Sequence, residues 1–110
     1  MVYAASTAAL AVLEVRVHLD LPLDLLPDDY VLVTIELGDV PVETLEAIPQ
    51  EPAGFGDLWL QQQRSAVLEV PSAIIPESTN LLLNPRHPAA EGARIVQQRA
   101  FAFDRRLWQP

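Results

Sequence analysis

The chain has 110 residues, half of them apolar, which suits one domain spanning residues 1–110 with one modest core. Fifteen acidic residues stand against seven basic ones, every one of them Arg, and the resulting charge of −8 repels phosphate backbones, so direct nucleic-acid binding is not expected. The sequence contains no Cys, which excludes a disulfide framework, a thiol nucleophile and a thiolate metal site and points to a cytoplasmic protein. No apolar run is long enough to cross a bilayer, and no charged region precedes the apolar start as in a signal peptide.

In chain order, Met1 to Ala5 reads as the end of a strand running into Ser6-Thr7, residues suited to cap a helix. From Ala8 to Leu19 only Glu14, Arg16 and His18 interrupt an apolar run, so a helix buried on all sides is expected. Such a helix needs cover, and little chain precedes it, which suggests a domain missing its N-terminal part. A short chain in that position is expected to be marginally stable or to oligomerise, a homo-oligomer being one outcome.

Asp20 to Asp29, with Pro22 and Pro27, reads as a loop. Tyr30 to Leu37 is β-branched and nearly continuously apolar, which predicts a well-buried strand closed by Gly38-Asp39. Val42 to Ala47 reads as one helical turn, Pro49 to Gly56 as a loop, and Asp57 to Arg64 as a short helix with Leu58, Trp59 and Leu60 facing inward. Ala66 to Val70, Asn80 to Leu83 and Ala93 to Phe103 read as strands. The elements alternate without the spacing of a βαβ series, so the fold class expected is α+β, a mixed sheet with packed helices.

Few residues carry chemistry. Glu14 lies in the apolar helix, where a carboxylate needs a partner, a ligand or water; pairing with His18, four residues on, or with an Arg is as reasonable as a functional role. Ser72 follows Pro71 at a strand end, a position that presents hydroxyls to ligands but also suits a cap or turn. Nothing ties either His to Ser72 as a catalytic triad, no metal-ligand spacing occurs, and no Gly-rich loop cradles phosphate.

Several blocks together resemble the RES-domain family: Val2-Tyr3-Ala4-Ala5-Ser6 running into Ala9 to Val15, then Tyr30 to Val33, then Trp59-Leu60 with Ser65. Val70-Pro71-Ser72 through Asn84-Pro85-Arg86-His87-Pro88 completes the set and is its specific part. Members of that family resemble ADP-ribosyltransferases and act as toxins beside a Xre-like antitoxin. The resemblance implies an ADP-ribosyltransferase-like fold, NAD as substrate and no metal. It implies that Glu14 takes the place of the family Glu, Ser72 that of the family Ser, and Tyr3 that of a Tyr near the nicotinamide, as catalytic residues. Asn84 and His18 are the substrate-binding candidates, Asn84 standing for a polar residue near the site. The family Arg belongs to a Gly-Arg-Trp-type segment upstream of Tyr3, before this chain begins. The expected function is therefore a toxin that degrades NAD or transfers ADP-ribose, the alternative being an inactive remnant that only binds its antitoxin.

Overall fold

The computed structural model describes residues 1–108. Strand β1 (Val2–Ala5) turns through Ser6-Thr7 into helix α1 (Ala8–His18), whose first turn is capped by Thr7: its Oγ1 accepts from the Leu10 amide at 3.1 Å. After a loop come β2 (Val31–Glu36), β3 (Val42–Thr44), α2 (Pro52–Gln61), β4 (Val67–Pro71), β5 (Thr79–Leu83) and β6 (Arg94–Ala100).

These strands make two sheets. The larger runs in the order β1-β5-β4-β3 and is mixed: β5 is antiparallel to both neighbours, whereas β3 lies parallel to β4. Parallel pairing needs a crossover rather than a hairpin, and α2 supplies it. The smaller sheet pairs β2 with β6, and the shift between Thr34 and Ile35 leaves Val96 as an extra residue on β6. The fold class is thus α+β with a mixed sheet, as the sequence suggests.

One face of the larger sheet carries Val67 and Leu83, which pack with Val40, Ala66 and Ala90 into the core. Leu68 on the other face is fully buried, and α2 stands over that face with Trp59 and Gly56 buried.

Several sequence expectations need correction. Residues 42–44 are a strand, because their backbone pairs with β4 and tertiary pairing overrides a weak local preference. Helix α2 begins at Pro52, ahead of Asp57: proline is well suited to the first helical turn, where its missing N–H costs nothing. Trp59 does face inward, but Leu58 is exposed. Helix α1 is not central; Leu10 is its one buried residue, and Val17 is 60% exposed. Strand β2 is not well buried either, since Val31 and Val33 are exposed along a two-stranded ribbon.

Candidate functional site

The polar centre of the molecule lies where α1 passes the end of the β4–β5 hairpin. Glu14 is one turn beyond the buried Leu10, on the same helix face. Ser72 directly follows β4 and is buried. Its Oγ donates to Oε1 of Glu14 at 3.1 Å and accepts from the amides of Ile74 and Ile75, both at 3.1 Å. A hydroxyl has one proton and two lone pairs. With both lone pairs taken by backbone donors, the proton is directed at the carboxylate. The turn that supplies those donors is closed by Ser72 N to Ser78 O at 2.9 Å and Ser78 N to Ile75 O at 2.9 Å.

Among the described residues no donor reaches the other carboxylate oxygen, Oε2 of Glu14, and none of the ion pairs involves this residue. Among the described residues no buried side-chain polar atom lacks a partner, so Oε2 keeps some exposure to solvent. Glu14 therefore offers one oxygen fixed by Ser72 and one ready to accept a ligand's hydrogen bond.

Beside this pair lies a cleft of about 440 Å³ between the sheet and α2, lined among others by Tyr3, Phe55, Asp57, Ala73, Asn80 and Leu82. Glu14 and Ser72 are not themselves part of its wall. Pro71 and Ala73 on either side of Ser72 are, which sets the pair at the cleft's end. Tyr3 links the two: partial burial and, second, the negative charge of Glu14 push its phenol above the ordinary value, keeping it neutral at physiological pH. A second cavity of about 600 Å³ lies between α1, the opposite sheet face and the β2–β6 ribbon. Tyr3 lines it as well, and its described lining holds no charged side chain.

The structure thus brings Tyr3, Glu14 and Ser72 together, sets His18 against the Glu14 backbone rather than its carboxylate, and places Asn84 away from them. His18 does not pair with the Glu14 carboxylate; its Nδ1 donates to the Glu14 backbone carbonyl at 2.7 Å, an exposed contact that closes the helix end. Asn84 lies at the far end of β5. Its amide donates to Ala66 O at 2.9 Å, and Ala66 is six residues before Ser72 along an extended chain, a separation of roughly 20 Å. There its Oδ1 accepts from the Arg86 amide at 3.1 Å, and His87 Nδ1 accepts from the Ala89 amide at 3.0 Å. The Asn84 to Pro88 block accordingly builds a turn, a role short polar side chains often take beside proline.

Asn80 is the residue sequence reasoning missed. It is buried at the start of β5, with its backbone opposite Ala5 on one side and Val70 on the other, and its side chain lines the cleft. The one available signal was a lone Asn within an otherwise apolar strand, and strand alternation assigns it to the same face as Leu82.

Residues 1–104 match the family model described as RES domain. Over 97% of its length the chain is 45% identical to the Prs ADP-ribosylating toxin of Sphingobium sp. (strain YBL2), covering 74% of that protein. It is 40% identical to Toxin Res of Pseudomonas putida, with 98% of this chain and 79% of that one aligned. To Toxin Res of Yersinia enterocolitica it is 35% identical over 96% of its length, covering 76% of that protein.

Proposed function

The chain belongs to the RES-domain family, and on that premise we propose that it is a toxin that breaks the bond between nicotinamide and ribose in NAD. The observation that carries this reading is the hydrogen bond from Ser72 to Glu14, which leaves the other carboxylate oxygen without a donor among the described residues, Ser72 itself lying between two residues that line a cleft containing Tyr3. Cleavage of that bond passes through an oxocarbenium-like state, and a carboxylate hydrogen-bonded to the ribose stabilises the charge as it develops. Oε2 of Glu14 would accept from a ribose hydroxyl while Oε1 stays held by Ser72. The bonding electrons leave with nicotinamide, whose ring becomes neutral; the acceptor supplies a new pair to the ribose carbon and gives up its proton. The neutral phenol of Tyr3 presents a flat ring for the nicotinamide to stack on.

The name of the Sphingobium relative supports ADP-ribosyl transfer as the fate of the ribosyl group, and the Toxin Res names support a toxic role. A Xre-like protein is the proposed antitoxin. The test is release of nicotinamide from NAD by the purified protein, with labelled NAD used to follow the ADP-ribosyl group to water, phosphate or protein. Glu14→Gln is expected to lower that release by about a hundredfold or more. NAD left intact by the unaltered protein would overturn the reading.

One observation favours a second reading. Among the described residues lining the cleft there is no Arg, and Asp57 is the one charged side chain, whereas a dinucleotide pyrophosphate is ordinarily gripped by a guanidinium. Under that reading the chain binds its antitoxin without catalysis. Binding of a Xre-like antitoxin by the purified chain, with no growth arrest and no loss of NAD on its expression, would support it.

A further inference from the structure

An amide side chain has up to four hydrogen bonds to make, two given and two accepted. Asn80, only 2% exposed, makes one among the described residues: Nδ2 donates to Ala4 O at a long 3.5 Å. Its carbonyl oxygen accepts none. Because no sealed side-chain polar atom in the described chain lacks a partner, that oxygen retains a small opening, and the space Asn80 lines is the cleft between the sheet and α2. The floor of the cleft around it is apolar, with Leu68, Val70 and Leu82. An acceptor in such surroundings costs free energy until a donor arrives, and a site of that kind discriminates strongly between ligands that have the donor and ligands that lack it.

Register fixes where the donor must sit. Tyr3 is directly opposite Leu82, which places Asn80 diagonally across from Tyr3 on the same sheet face, within reach of a ring lying against the phenol. Asn80 is also opposite Val70, two residues before Ser72, so it stands between the aromatic wall and the Glu14–Ser72 pair. A nicotinamide ring on Tyr3 with its ribose toward Glu14 would turn its carboxamide to this position.

We propose that Asn80 is a substrate-contacting residue whose carbonyl oxygen accepts from the carboxamide NH₂ of nicotinamide, selecting NAD over dinucleotides whose pyridine ring carries a carboxylate. The proposal rests on the NAD-cleaving reading above and adds the group on the substrate that is recognised. A carboxylate at that place supplies no donor and sets a negative oxygen against the Asn80 carbonyl.

The test compares kcat/KM for NAD and for nicotinic acid adenine dinucleotide. The unaltered protein is expected to favour NAD by about tenfold or more, and Asn80→Ala to lose most of that preference by losing activity on NAD while activity on the acid analogue changes little. Equal turnover of the two substrates by the unaltered protein overturns the assignment whether or not the variant folds. So does an equal fall on both in a variant with unchanged Tm, since that would place the contact on the ribose they share. If neither dinucleotide is cleaved, the functional reading fails by itself. Asn80 is then decided by titrating the protein with nicotinamide and with nicotinate: preferential binding of nicotinamide, weakened by Asn80→Ala, supports the contact, and equal binding or none overturns it.

Discussion

At position 72 a single hydroxyl closes a backbone turn and holds a carboxylate, and both tasks follow from how many hydrogen bonds an alcohol can make. Ser72→Ala leaves the amides of Ile74 and Ile75 without their acceptor in a partly exposed turn, so denaturant unfolding should show a loss of about 1 kcal/mol. An unchanged midpoint would mean that the turn holds without the hydroxyl. Tyr3 tests the other side of the cluster. Its phenol pKa is raised, first by partial burial and second by the charge of Glu14, so absorbance titration should find it ionising later than a free tyrosine. Glu14→Gln should move the titration only partway back, because burial is the larger cause. A raised folded value means that the group's contribution to stability is complete below the unfolded pKa near 10 and is lost as pH rises through the folded one. Replacing Tyr3 with Phe should therefore flatten the decline of stability in that alkaline window. Glu14 and Ser72 were open to recognition in the sequence through the order of the blocks around them. Asn80 was not, because Asn80 and Asn84 are alike in one dimension, and only the paired strands show that one lines the cleft and the other ends the strand.

The elements divide by what their signals record. Strands at Val31–Glu36, Val67–Pro71 and Thr79–Leu83 were legible because β-branched and leucine runs bounded by Pro, Gly or Asn mark extended chain directly. Val42–Thr44 was not, since three residues become a strand only when a neighbour pairs with them. Helix α1 was found but misplaced: an apolar surface shows that cover is needed without showing where it is. What holds its C-terminal end is Trp108. Arg16 lies 4.2 Å over the indole ring and donates to Leu107 O at 3.1 Å, while the indole donates to Leu21 O at 3.0 Å. Phe103 continues the contact edge-on toward Phe101 and Tyr30, joining α1 to the β2–β6 ribbon. Trp108→Ala should cost about 1–2 kcal/mol and speed amide exchange at the end of α1, with the larger sheet unchanged. Uniform exchange in the two proteins would show that the clamp holds nothing. Helix α2 is anchored differently, through Trp59 Nε1 to Ser65 Oγ at 2.7 Å and Ser65 Oγ to Glu43 Oε1 at 2.8 Å. Because Trp59 is 1% exposed, Trp59→Ala should cost about 3–5 kcal/mol and loosen the wall of the cleft, which calorimetry would register as a drop in Tm.

For the whole molecule the charge of −8 matters most, because the proposed substrate is itself an anion. Ten of the fifteen acidic residues fall between positions 20 and 57, a stretch without a single Arg, and Asp57 on α2 reaches the cleft itself. At low ionic strength such a field lowers the local concentration of a dinucleotide, and screening removes the effect over a Debye length of about 10 Å at 0.1 M salt. The KM for NAD should therefore fall as salt is raised from about 10 to 100 mM, with kcat little altered, since the Glu14–Ser72 contact is a direct, partly buried one. A site built on a guanidinium grip would show the reverse, because salt weakens the attraction on which it depends. Asp57→Asn separates the local from the global part: if the carboxylate in the cleft dominates, this single change should remove most of the salt dependence, and if the diffuse field dominates, the slope should persist. A KM that rises with salt in the unaltered protein would show that a cation does reach the substrate, despite the absence of Arg from the described lining of the cleft.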